Sequence, residues 1–128
     1  MENKKGEKMT FGNFFKEMRI KKGLTLRAFC NAYSLDPGNI SKLERGRSNP
    51  PESLDILKKY AAYLGISEGS KDWHTFVDLA SAEAGKIPPD IMTEREQVSR
   101  LPVLFRTLRK KKLTKADLDK LIGKLKDI

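Results

Sequence analysis

The chain has 128 residues, 38% of them hydrophobic and 34% charged, which leaves room for one small domain with at most a helical appendage. Its net charge is +9, split as +6 over residues 1–50, −3 over 51–95 and +6 over 96–128, so a polyanionic partner fits the first and last blocks. No apolar run approaches a membrane span, no signal peptide opens the chain, and the single cysteine, Cys30, excludes an internal disulfide, so a cytoplasmic protein is expected.

In chain order, the polar residues 1–9 predict a loose arm carrying Lys4, Lys5 and Lys8. A first helix starts after Thr10 and runs to about Lys22. Phe11, Phe14, Phe15, Met18 and Ile20 are its apolar positions, and Gly23 ends it. A second covers about Thr25 to Ala32, with Phe29 and Tyr33 four apart and so on one face. A third opens at Asp36 as N-cap, with Pro37 in the first helical position, where a missing N–H does no harm. Ile40 and Leu43 form its inner stripe, and Gly46 suits its termination. Pro50 and Pro51 precede a fourth helix, about Glu52 to Leu64, built on Leu54, Ile56, Leu57, Tyr60, Ala61 and Leu64 and ended by Gly65. Ser70 caps a fifth, about Lys71 to Glu83, with Trp73, Phe76, Val77, Leu79 and Ala80 as apolar content.

The segment Ala84 to Pro89 breaks the pattern and marks a boundary. Beyond it, Thr93 and Glu96 have capping-box spacing, and Pro102 predicts a helix start or kink near Leu101. Thr114 and Asp117 predict a further start, before a last helix with Leu118, Leu121, Ile122 and Leu125 on one face. Those residues, with Val103, Leu104 and Leu108, are too many apolar groups for a solvated tail. They are expected to bury against the first five helices or against a second chain. Three regions follow: an arm (1–9), a helical domain (10–84) and a C-terminal helical extension (85–128).

The second and third helices flank a turn too short to be a linker, and Phe29, Tyr33, Leu35, Ile40 and Leu43 hold them together as a helix-turn-helix. The outer row of the third helix is Gly38, Asn39, Ser41, Lys42 and Arg45. Small and amide groups at its start and cations further along suit a major groove. This pattern over about Phe11 to Ile66, with the run Ile40-Ser-Lys-Leu-Glu-Arg-Gly-Arg-Ser-Asn-Pro50, resembles the lambda-repressor-like (Cro/C1, XRE-type) DNA-binding domain. Two positions depart from that family. Ser34 stands where the family has Gly in the turn, and Leu26 stands where it often has a phosphate-contacting Gln.

The resemblance implies an all-α, five-helix DNA-binding domain with double-stranded DNA as partner. It implies a site made of Arg27, Pro37, Gly38, Asn39, Ser41, Lys42, Arg45, Arg47, Ser48 and Asn49, with Arg19 and Glu44 as a structural ion pair. Asn39 suits adenine and Lys42 guanine, whereas Arg47, Ser48 and Asn49 suit the backbone. A homodimer reading two half-sites is the expected mechanism, as a transcriptional repressor; the alternative is the antitoxin of a toxin–antitoxin pair, with the extension binding the toxin. One His (His74) and one Cys, with no metal-ligand spacing and no Gly-rich phosphate loop, give no basis for an enzyme, a metal or a cofactor. Cys30 reads as a packed core thiol. The basic run Arg106 to Lys112 stays open between a solubilising helix end and a docking surface for phosphate or an acidic partner.

Overall fold

The computed structural model describes residues 9–127, so the arm lysines Lys4, Lys5 and Lys8 lie outside the described residues. Among the described residues there are eight helices and no strand. The chain divides into two compact units, with the boundary between Pro88 and Pro89.

The first unit contains α1 (Phe11–Lys21), α2 (Leu26–Tyr33), α3 (Pro37–Glu44), α4 (Leu54–Leu64) and α5 (Lys71–Glu83). Each of the five opens on a side-chain cap: Thr10, Thr25, Asp36, Ser53 and Ser70 each accept a backbone N–H three residues on. Such a cap stabilises a helix by about 1 kcal/mol, which matters because helices of 8 residues such as α2 and α3 are too short to persist alone. Packing supplies the rest. Phe11, Phe15, Phe29 and Phe76 are fully buried. The Phe15 ring stands edge-on to Phe29 and to Tyr60, each at 5.7 Å between centroids. One aromatic cluster thus ties α1, α2, α4 and α5 together, each buried ring contributing about 1.5–3 kcal/mol.

Three expectations for this unit change. Met9, assigned to the loose arm, is partly buried against the core. Ile20 and Ile56, assigned to inner faces, are exposed at 56% and 41%. Both lie off the stripes set by Phe11, Phe15 and Arg19 on α1 and by Leu57, Ala61 and Leu64 on α4, so helical period overrules hydrophobicity at these two positions.

The second unit contains α6 (Pro89–Met92), α7 (Arg95–Lys111) and α8 (Lys115–Lys126). Here the sequence expectations need more correction. The Thr93–Glu96 capping box does not form. Residues 89–92 make a helical turn of their own that claims Thr93, whose Oγ1 donates to the Asp90 carbonyl at 2.8 Å, and α7 starts from Glu94 without a side-chain cap. Helix α7 does not start at Pro102 but runs through it as one element. The capping box at α8 does form: the Asp117 N–H donates to Thr114 Oγ1, and the Thr114 N–H donates to Asp117 Oδ2, both at 3.1 Å. Neither α7 nor α8 contributes a buried residue. Within this unit Val103, Leu104, Phe105, Leu118, Leu121, Ile122 and Leu125 are all 40% exposed or more.

Candidate nucleic-acid interface

Helix α3 is built to present one face. Asp36 Oδ2 accepts the Asn39 N–H at 2.9 Å, and Pro37 occupies the first turn. Ile40, Leu43 and Glu44 point inward and are buried, which turns Gly38, Asn39 and Lys42 outward, all exposed, with Ser41 half-buried beside them. The helix ends in a two-bond lock. The Arg47 N–H donates to the Lys42 carbonyl at 2.8 Å, and the Gly46 N–H donates to the Leu43 carbonyl at 3.1 Å. That geometry places Gly46 at φ +73°, where a Cβ would strain the chain. The lock projects Arg47, Ser48 and Asn49 into an exposed loop before buried Pro50. Arg45 is exposed, and its Nε donates back to the Ser41 carbonyl at 3.3 Å, so the guanidinium lies along the helix.

The turn before α3 pays a conformational cost. Ser34 sits at φ 55°, ψ 45°, a left-handed geometry that costs a non-glycine residue on the order of 1 kcal/mol. The Leu35 N–H donates to the Cys30 carbonyl at 2.9 Å and closes the turn. Leu26, where the resembling family has a polar residue, packs partly buried against the core, while Arg27 next to it is exposed. Cys30 is 1% exposed, and burial pushes its thiol up, away from the reactive thiolate.

Two contacts from α1 set the position of α3. At one end of the contact, the Arg19 guanidinium meets Glu44 in a bidentate pair: Nε to Oε2 at 2.8 Å and Nη2 to Oε1 at 2.9 Å. Its Nη1 donates to the Leu24 carbonyl at 2.8 Å, so one side chain ties α1, the α1–α2 turn and α3. Both partners are 6% exposed, and the hydrogen bonds that Arg19 donates to the Glu44 carboxylate raise the Arg19 pKa above its ordinary value. At the other end, seven residues earlier on the same face of α1, Gly12 lies against the end of α3. A Cβ on Gly12 would sit 2.3 Å from the Leu43 carbonyl oxygen and 2.7 Å from that of Glu44.

Gly12 was not singled out from the sequence. The available signal was a glycine inside a helix otherwise rich in Phe, where it costs roughly 0.5–1 kcal/mol relative to Ala without a packing reason. Gly12→Ala is expected to destabilise the first unit by about 1–3 kcal/mol, because backbone oxygens cannot yield as a side chain would. It should also displace α3 and with it the exposed row of Gly38, Asn39 and Lys42. Urea denaturation measures the first effect, and an unchanged midpoint would show that α1 and α3 separate freely.

At the N-terminus of α1 the Phe11 N–H donates to Glu83 Oε1 of α5 at 3.1 Å, which puts a carboxylate at the positive end of the helix. Among the described residues, no group of three or more His, Cys, Asp or Glu side chains could hold a metal ion, and no helix is long and apolar enough to cross a membrane.

Residues 12–72 match the family model described as a helix-turn-helix domain. No curated protein and no solved structure matches the chain. The α2–α3 pair, its tight left-handed turn and its capped outer helix are the part of the matched segment that gives such a domain its name. Residues 12–72 therefore carry a helix-turn-helix domain of the Cro/C1-like type, in a chain that is all-helical among its described residues.

Proposed function

We propose that the protein is a sequence-specific DNA-binding transcriptional regulator that occupies an operator as a homodimer and represses by excluding polymerase. The observation that supports this most is the outer row of α3, where exposed Gly38, Asn39 and Lys42 lie on a short helix held by caps and by Arg19. In this reading Asn39 pairs adenine N6 and N7, Lys42 donates to guanine O6 and N7, and Ser41 and the Pro37–Gly38 start allow close approach. Arg27, Arg45, Arg47, Ser48 and Asn49 grip phosphates and fix register without reading sequence. The work is binding rather than catalysis, carried out in the cytoplasm at the nucleoid.

A second reading, an antitoxin whose C-terminal unit neutralises a toxin, draws on the exposed apolar residues of α7 and α8. A dimer with those residues covered favours the repressor. A dimer formed without them leaves the surface for another protein.

Binding to a randomised operator library tests the division of roles. Lys42→Ala should cost about 1–3 kcal/mol and relax preference at one base step, whereas Arg47→Ala should weaken all sequences alike and flatten the salt dependence. Uniform loss across the library for both variants would remove Lys42 from base readout.

A further inference from the structure

We propose that α7 carries a second, sequence-independent DNA-binding surface, on which Arg95, Arg106, Arg109 and Lys110 bind the phosphate backbone. The inference rests on the DNA-binding reading above and adds a site outside the matched helix-turn-helix segment.

Because α7 runs unbroken through Pro102, residues far apart in sequence share a face. Arg106, Arg109 and Lys110 stand at i, i+3 and i+4, and Arg95 lies eleven residues, about three turns, before Arg106. The row is about 22 Å long at 1.5 Å per residue. Duplex DNA presents one negative charge per about 1.7 Å of axis, so a row of this length can meet several phosphates. The apolar residues Leu101, Leu104 and Leu108 lie on the opposite side of the helix, with Val98 and Phe105 bordering the row beside Arg109, so covering the apolar side leaves Arg95, Arg106 and Lys110 free.

All four cations are exposed, and none is in an ion pair among the described residues. The helix dipole accounts for Arg109 and Lys110 in the last turn. It does not account for Arg106 further in, and it opposes Arg95, which opens the helix. Nor does the face look like a protein interface, which would carry a central apolar anchor. Pro102 lies within it and Val98 and Val103 at its two margins, with no aromatic or long aliphatic anchor at its centre. The four-residue α6 and short connections are all that separate α5 from α7. A tether of that length keeps the second surface at high effective concentration once the helix-turn-helix has bound, so weak phosphate contacts suffice.

The test uses the full chain and a labelled random-sequence duplex of about 30 base pairs, titrated between about 50 and about 200 mM NaCl. The variant R106Q/R109Q/K110Q should lower the slope of log affinity against log salt by about 2.7, at about 0.9 per phosphate contact. Equivalently, the wild-type chain should lose about forty-fold more affinity across that range than the variant does. The control K58Q/K59Q/K71Q removes the same charge from α4 and α5 and should leave the slope near wild type. Sedimentation of each variant, showing an unchanged oligomeric state, excludes an indirect effect through assembly.

A slope unchanged in the α7 variant overturns this inference and leaves the proposed function standing. An equal fall in the control also overturns it, since net charge alone would then be responsible. A wild-type chain that binds no duplex at low salt overturns both readings together.

Discussion

Arg19→Ala is expected to cost about 3–5 kcal/mol of folding stability and most of the DNA affinity. Removing one partner of a buried ion pair leaves the other charge desolvated and unpaired, and that penalty, rather than the modest net value of the intact pair, sets the size of the effect. The Glu44 carboxylate would lose both bidentate donors while remaining 6% exposed at the C-terminal end of α3, where the helix dipole disfavours a negative charge. Glu44→Ala should be the milder of the two, because Arg19 would still donate to the Leu24 carbonyl at 2.8 Å. The double variant should lose less than the sum of the singles, since each single already forfeits the shared interaction. Guanidinium denaturation of the four proteins measures the coupling. Strict additivity would mean that the pair contributes nothing as a pair, and that α3 is held by Gly12 and the apolar contacts alone.

What the sequence made legible follows from the range of each interaction. Caps are local: Asp36 with Pro37, Ser70 and the Thr114–Asp117 box can be read because donor and acceptor lie three residues apart. The buried stripe of α3 can be read because Ile40 and Leu43 repeat at helical period. The matched segment was recognisable because its pattern concentrates in α2, the turn and α3. The contacts that fix α3 against α1 are of another kind. The fit of Gly12 under the Leu43 carbonyl joins residues 31 positions apart, and the bond from Phe11 to Glu83 spans 72. No local pattern encodes either. The same reasoning explains Thr93, whose spacing to Glu96 is right for a capping box. A competing turn at residues 89–92, started by Pro89 after Pro88, captures it first.

The C-terminal unit shows where periodicity runs out. Leu118, Leu121, Ile122 and Leu125 mark one side of α8, yet periodicity says only that a face is apolar, not what covers it. Leu118 and Leu121 are 40% exposed, and Leu125 reaches 60%. Monomeric proteins seldom leave large contiguous apolar surfaces open.

The proposed dimer therefore makes a strong prediction about a chain truncated after Pro88. The first unit keeps its aromatic core, its five capped helices and the Arg19–Glu44 pair, none of which uses a residue beyond 88. It should fold, melt cooperatively and retain base preference at each half-site. It should also sediment as a monomer, because Val103, Leu104, Phe105 and the α8 stripe, exposed apolar groups outside the core domain, have been removed. Operator affinity should then fall by about 10²–10⁴-fold, since the second half-site is no longer delivered at high effective concentration by the first. Sedimentation equilibrium and operator titration on the same sample separate the possible outcomes. A truncated dimer as tight as that of the full chain would place the interface within residues 1–88 and leave the apolar faces of α7 and α8 to a different partner. A truncated monomer with full operator affinity would mean that one recognition helix suffices, and the two-half-site mechanism would fall. Loss of both dimer and affinity, with half-site preference intact, is the result that the proposed mechanism expects.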